Sequence, residues 1–409
     1  MKLIEKGLKK KKISNAIISL IIIGNLIRIP VNNFAVISFT EIILALMLVF
    51  LPIFMMNKRL EFNKFDQKIL TITLLIITLL IIQVIVNYQR LFSVFLLFEY
   101  LFIGIVFLII FKFLAFNHNV YFKTLLFFSY YLTFNNIYFN VFNYETGQYS
   151  NIIKFGSSNY TSALMLIIIP TIFFYIRQNE NKILNNMAYI SIFLMIFSVV
   201  FAGSRSNIAI LLFQIVVFLF LVKNSITKRL KMFFIIAITI VGAYFVLEYI
   251  NPELKFIINR YISYFTESSS DRRDILDSDL IRDRLKDEAK VIINDNKLWG
   301  IGYPRIPQTN TPVHNFIYEI ILAIGYIGFV IYSIYFTIFV VGVLKGLSKQ
   351  NSIRLLYLVM ILTFLSISLF HPFMTSGKEF TIIFWMNVIA FKFFRTSDGQ
   401  KGNKMWRKK

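Results

Sequence analysis

Two kinds of side chain in this sequence, arginine and histidine, could grip an anion or move a proton, and they stand at the ends of apolar runs or in the polar segment beside them. Arg205 lies in Phe201-Ala202-Gly203-Ser204-Arg205-Ser206-Asn207, a tight turn between two apolar stretches. Arg272, Arg282 and Arg284 belong to a long polar segment, and His314 opens another apolar stretch in Pro312-Val313-His314-Asn315-Phe316-Ile317-Tyr318-Glu319. Guanidiniums grip anionic oxygens in a planar fork, and imidazole exchanges a proton near neutrality. An arginine facing lipid is costly, so Arg205 either snorkels to the interface or points into a polar cavity.

The surroundings of these groups are set by composition. The 409 residues are 57% hydrophobic, 17% aromatic and 16% charged, with a mean hydropathy of +0.69. A soluble fold would be left with apolar surface far beyond what monomers tolerate, so a soluble enzyme is excluded. The chain has no Cys and three His. Disulfides, thiolate catalysis and cysteine metal sites are therefore absent, and without an HExxH pattern no metal or other cofactor is expected.

A span needs roughly 20 mainly apolar residues to cross about 30 Å of hydrocarbon. Twelve segments qualify, near 13–29, 34–56, 68–87, 91–116, 119–141, 159–177, 186–202, 205–222, 231–250, 313–343, 353–370 and 379–395. The expected fold is all-α: one polytopic membrane domain over 1–409 with both termini cytoplasmic. The lysine-rich start resembles a signal peptide, but no small-residue cleavage site follows, which predicts an uncleaved first span. The net charge of +22 follows from this topology rather than from nucleic-acid binding. About two thirds of the Lys and Arg fall in the segments predicted to be cytoplasmic, as the positive-inside rule requires. Most of the others lie in one long extracytoplasmic loop, roughly 251–312, where acidic and basic residues balance.

A loop of that length without a role is uncommon. Its second half predicts an amphipathic helix near 279–295, with Ile281, Leu285, Ala289 and Ile292 on one face and Asp279 as a possible cap. Asp271, Asp274, Asp277, Asp279 and Asp283 alternate with Arg272, Arg273, Arg282 and Arg284, which reads as self-neutralising ion pairs rather than a cation site. The intramembrane carboxylates Glu41, Glu99, Glu248 and Glu319 all fall in the outer halves of their spans under this topology. Gly325 and Gly328 give the tenth span the small-residue spacing that close helix packing uses. His371, in the turn His371-Pro372-Phe373-Met374-Thr375-Ser376-Gly377-Lys378, adds a further polar cluster.

Gly203-Ser204-Arg205-Ser206, then an outside loop carrying Arg282 and ending Leu298-Trp299-Gly300-Ile301-Gly302, then His314-Asn315 with Glu319, Gly325 and Gly328, resembles the O-antigen ligase/polymerase superfamily. This family comprises the Wzy-type polysaccharide polymerases and the O-antigen ligases. The resemblance covers roughly residues 150–390, with Phe155-Gly156-Ser157-Ser158-Asn159 as a fainter match. It implies a glycosyltransferase working on undecaprenyl-diphosphate-linked glycans at the outer face of the cytoplasmic membrane. By the same resemblance Arg205, Arg282 and His314 are catalytic, and Ser204, Arg272, Arg284, Asn315, Glu319 and His371 bind substrate. Lys297, Lys286 and Ala323 depart from the family's usual Pro, aromatic and second Glu, which leaves Arg272 and Arg284 as alternatives to Arg282.

The expected activity is polymerisation of lipid-linked repeat units into a surface polysaccharide such as O-antigen, capsule or exopolysaccharide. Its alternatives are a ligase that moves a finished glycan to another acceptor, and a flippase of the lipid-linked glycan. Expected partners are the lipid-linked donor and acceptor, membrane lipids, a chain-length regulator and a flippase, with no nucleic acid.

Overall fold

Uncharged runs of Ile, Leu and Phe form helices because, away from water, a helix satisfies every backbone N–H and C=O within its own segment. The computed structural model describes residues 2–26, 28–32, 35–40, 63–86, 103–112, 116–141, 158–202, 204–221, 273–309, 311–347, 351–371 and 378–406, with scattered residues between 42 and 47 and between 238 and 249. The helices are α1 (Lys2–Ile23), α2 (Lys64–Val86), α3 (Ile103–Lys112), α4 (His118–Val141), α5 (Ser158–Gln178) and α6 (Lys182–Phe201). There follow α7 (Arg205–Leu221), α8 (Arg273–Asp295), α9 (Phe316–Gly346), α10 (Asn351–Ser368) and α11 (Lys378–Trp406). Among the described residues, two short antiparallel hairpins, β1–β2 (Arg28–Asn32 with Ala35–Ser38) and β3–β4 (Arg305–Ile306 with Thr311–Pro312), complete an otherwise all-α fold.

Among the described residues, three helices are long and apolar enough to cross a membrane: Asn159–Gln178 within α5, α6 and α9. Shorter apolar helices occupy Ile13–Leu26, Ile103–Lys112, Arg205–Phe220 and Ser352–Ser368. Two expectations need correction. The first span does not run to 29, nor does the second begin at 34, because Arg28 pairs with Ser38 and Ile29 with Ile37 across a hairpin. Pro30 cannot donate within a helix, and the β-branched Ile29, Val31, Val36 and Ile37 favour extended backbone. The loop helix begins at Arg273 rather than near 279, so Asp279 lies inside it and does not cap it. Arg272, Glu41, Glu99 and Glu248 lie outside the described residues.

The chain divides into two compact units, residues 1–128 with 287–409, and residues 129–286. In the second unit, polar pairs recur at a spacing of two helical turns. Ser129 and Ser191 share a hydrogen bond of 2.6 Å, and seven residues on in both helices Asn136 Nδ2 donates to Ser198 Oγ at 2.7 Å. The equal increments make α4 and α6 parallel. The same pattern joins α5 to α7: Asn207 Nδ2 donates to the Asn159 carbonyl at 2.9 Å, and seven residues later Gln214 Nε2 donates to the Leu166 carbonyl at 2.7 Å. That second bond has a local cause. Pro170 sits inside α5 and has no N–H for the carbonyl four residues back, which is that of Leu166. The fully buried Gln214 supplies the missing donor.

In the first unit, α2 packs antiparallel against α9, with the Phe65 ring edge-on to Phe339 at 5.9 Å. Fully buried Trp385 of α11 stands 4.9 Å from Phe339, and Phe364 of α10 stacks on Phe384 at 3.8 Å. The start of α2 is fixed by reciprocal bonds between Asn63 and Asp66, whose carboxylate also accepts from Lys112 at 2.7 Å and Lys392 at 3.0 Å.

Replacing Gln214 with Leu leaves the Leu166 carbonyl without a donor and is expected to cost about 1–3 kcal/mol, read as a lower melting temperature of the detergent-purified protein. Pro170→Ala restores the backbone N–H, so the same Gln214→Leu change is expected to cost much less in that background. Equal costs in both backgrounds would contradict this account of the bond.

Candidate functional site

Within the second unit, the start of α5, the end of α6 and the start of α7 lie at one end, held by Asn207. This fully buried amide donates to the Asn159 carbonyl and, at 2.7 Å, to Ser162 Oγ, which itself donates to the Asn159 carbonyl at 3.0 Å. Asn159 and the 203–207 turn, separated by more than forty residues, are thereby tied together. Ser204 stands at the N-cap of α7, its carbonyl accepting from Ile208 N at 3.0 Å, and is mostly buried. Arg205 is the first residue of α7 and is half-buried. A cation there opposes the helix dipole, so helix stability does not explain the residue. An anion at this end would meet the guanidinium together with the N–H groups of the first turn. Gly203 lies outside the described residues.

The stripe on α8 differs from the expected one. Leu285, Ala289 and Ile293 are buried, whereas Ile281 is 58% exposed and Ile292 only half-buried. Arg282 continues that stripe one turn earlier and is half-buried, while Arg284 is exposed. Two of the acidic residues here pair locally with lysines: Asp283 with Lys286 at 2.9 Å and Asp287 with Lys290 at 2.7 Å. No cluster of metal-ligating side chains occurs among the described residues.

In the first unit the decisive feature is a break in α9. Gly325 has φ 67° and ψ −176°, so the helix is interrupted after nine residues. The carbonyls of Leu322 and Ala323 lose their helical donors, and the amides of Tyr326 and Ile327 lose their acceptors. The loop after α8 replaces all four: Ile301 N donates to Leu322 O at 2.6 Å, Gly302 N to Ala323 O at 3.0 Å, Tyr326 N to Lys297 O at 2.9 Å and Ile327 N to Leu298 O at 3.4 Å. Backbone meets backbone so closely that a Cβ on Gly300 would stand 2.6 Å from Gly325 N, and one on Gly325 would overlap the Leu298 carbonyl. The Gly-x-Gly run and Gly325 thus form one docking joint. Gly325 serves this contact with the loop rather than close packing of two helices.

Past the joint, the β3–β4 hairpin and the fully buried Val313 lead into His314. His314 is the one non-glycine residue among those described with positive φ, at 58°. Left-handed backbone costs an L-residue roughly 1–2 kcal/mol, and such strain concentrates where function holds it in place. Asn315 follows as the N-cap of α9. Its Oδ1 accepts from Ile317 N at 3.0 Å and Tyr318 N at 3.3 Å, and its Nδ2 donates to the Leu369 carbonyl at 3.3 Å. That bond brings the end of α10, and hence Leu369-Phe370-His371, to the His314 end of α9. His371 is half-buried, and Glu319 is fully buried in the first turn of α9, where the helix dipole favours an anion.

The structure therefore gathers the predicted residues in two groups: Ser204 and Arg205 at the α5–α7 end of one unit, and His314, Asn315, Glu319 and His371 at one end of the other. Sequence reasoning missed Asn207 and Ser162, although a buried-amide candidate four residues after the Gly-Ser turn was visible. It also missed the break, whose signal was a glycine inside a long apolar run.

Residues 190–333 match the family model described as O-antigen ligase. The match begins inside α6 and ends inside α9, and it contains the Arg205 turn, α8, the docking joint and His314. That match supports membership of the O-antigen ligase/polymerase superfamily. Members of this family are glycosyltransferase-like enzymes, and the apolar helices make this chain a multi-pass membrane protein. No curated protein sequence matches it.

Two outcomes follow from the site geometry. Gly325→Ala forces a side chain into the Leu298 carbonyl and is expected to cost more than about 1 kcal/mol and to open the 298–302 segment to limited proteolysis. An unchanged digestion pattern would sink the docking account. His314→Gly relieves the left-handed strain and is expected to raise stability by about 1 kcal/mol in thermal unfolding; a lowered melting temperature would show that the side chain, not the backbone, carries stability there.

Proposed function

We propose that this protein polymerises undecaprenyl-diphosphate-linked oligosaccharide repeat units into a surface polysaccharide at the outer face of the cytoplasmic membrane. The observation that carries the reading is the family match over 190–333, which encloses Arg205, Arg282 and His314 together with the strained backbone that presents His314. The growing chain is the donor and a new lipid-linked unit the acceptor. An acceptor hydroxyl attacks the anomeric carbon of the donor, its proton passes to His314, and the carbon–oxygen bond to the carrier breaks with its electron pair leaving on undecaprenyl diphosphate. Arg205 and Arg282 neutralise that charge as it develops, an effect strengthened where water is excluded. Ser204, Arg272, Arg284, Asn315, Glu319 and His371 are proposed to hold the two substrates. The chemistry calls for no metal and no nucleotide. We propose twelve spans, with the loop of 251–312 outside, and a chain-length regulator and a flippase as partners.

Transfer of a finished glycan to a different acceptor uses the same bond-breaking step, so a ligase is the second reading supported by the family match. The two separate in a deletion strain. A polymerase mutant leaves single repeat units on the downstream product, a ligase mutant leaves full-length but unattached glycan, and loss of all externalised product would instead indicate a flippase.

Purified protein given a lipid-diphosphate oligosaccharide, without metal or nucleotide, is expected to lengthen the glycan on a gel. Arg205→Ala and His314→Ala are each expected to reduce that product by at least about a hundredfold while membrane levels persist. Full activity in both variants would end this assignment, as would an absolute requirement for a nucleotide sugar.

A further inference from the structure

At the end of α9 away from His314, a groove of about 370 Å³ runs between α2 and α9. Ile338, Val341 and the Phe65 ring give it an apolar wall, while Lys64, Lys68 and Lys345 stand around its mouth. A second, shallow apolar depression of about 320 Å³, lined by α9 alone from Phe329 to Ile338, shares Thr337 and Ile338 with the first, so the two adjoin along one open face of α9. From Phe329 to Lys345 it extends about 24 Å, well past the midplane of a hydrocarbon core about 30 Å thick.

The three lysines are exposed, and none has an ion-pair partner among the described residues. The nearby carboxylate does not neutralise them. Asp66 is buried and its two oxygens are taken by Lys112 and Lys392, the latter also resting 4.2 Å above the Phe65 ring. The groove therefore combines an apolar face of acyl-chain length with three lysine charges at one end that no carboxylate among the described residues pairs. Solvated lysines at a helix end would not need the apolar face, and an apolar contact with another helix would not need the charge.

We propose that this groove is a binding site for an anionic phospholipid of the adjacent leaflet, with the headgroup phosphate held by Lys64, Lys68 and Lys345 and an acyl chain lying along Ile338 toward Phe329. Charge complementarity selects the headgroup, and the length and apolar lining select the chain. The lysine end is the one that the distribution of basic residues predicts to be cytoplasmic, the leaflet side on which basic pockets between helices meet anionic lipid. The site is separate from the proposed chemistry and does not rest on it.

The test is lipid retention by the full-length protein in a non-ionic detergent. The protein is incubated with equal amounts of phosphatidylglycerol and phosphatidylcholine of identical acyl chains, and bound lipid is counted by native mass spectrometry. Phosphatidylglycerol is expected to be retained at least about tenfold over phosphatidylcholine. The preference is expected to vanish in the Lys64→Gln, Lys68→Gln, Lys345→Gln triple variant and to persist in a Lys286→Gln, Lys290→Gln control. Thr337→Trp, which blocks the groove but keeps the charges, is expected to lower phosphatidylglycerol retention as well. Equal retention of the two lipids, or an unchanged preference in the triple variant, would overturn the proposal. So would competition by glycerol phosphate as effective as by the whole lipid, or a lipid-free dimer in which a second copy fills the groove. Should the triple variant fail to purify as a single species, each Lys→Gln change alone is expected to lower retention severalfold, and three unchanged singles would overturn the proposal equally.

Discussion

Within an apolar helix, a backbone group that loses its helical partner must find another, since water is not at hand to supply one. The architecture around His314 depends on this constraint. Gly325 breaks α9 and frees two carbonyls and two amides, and the loop from Lys297 to Gly302 supplies the complement to all four. The loop is thereby fixed in place by hydrogen bonds rather than by side-chain packing alone. It leads directly into the β3–β4 hairpin, which in turn delivers His314 to the start of α9. A single glycine thus determines where the chain that carries the histidine must run. The same rule governs the other unit, where Pro170 frees the Leu166 carbonyl and Gln214 answers it.

Much of the fold was legible in hydropathy because span length is a one-dimensional signal. The stretches read at 159–177, 186–202 and 205–222 agree with α5, α6 and α7 to within a few residues. Hydropathy failed where pairing was non-local or short. The Arg28–Ser38 hairpin was absorbed into two apolar spans, since a brief β-branched run and a buried helical one look alike in composition. The extra turns of α8 carry alternating charge and few apolar residues, so periodicity did not reach back to Arg273. Its buried stripe follows Leu285, Ala289 and Ile293 at strict four-residue spacing, and that choice over Ile281 depends on what the helix packs against.

For the candidate site, residue type and order were readable but conformation was not. Arg205 at the edge of a span and His314 before another could be singled out from the sequence, and the family match encloses both. That His314 adopts left-handed backbone, and that Asn315 is engaged at once as helix cap and as a tether to Leu369, are properties of the folded chain. Asn207 escaped notice for a similar reason: its partners Asn159 and Ser162 are remote in sequence, and only the parallel pairing of α5 with α7 brings them within reach.

The break in α9 also has an electrostatic consequence. Interrupting a helix creates a fresh amino-terminal end, and such an end, with its outward-pointing amides, ordinarily attracts phosphate. Here that end is already filled by the protein's own carbonyls from Lys297 and Leu298. The second half of α9 is therefore self-capped and electrically quenched at the one place where a discontinuous membrane helix would otherwise draw in an anion. An anion near this joint would therefore meet no pull from the helix itself.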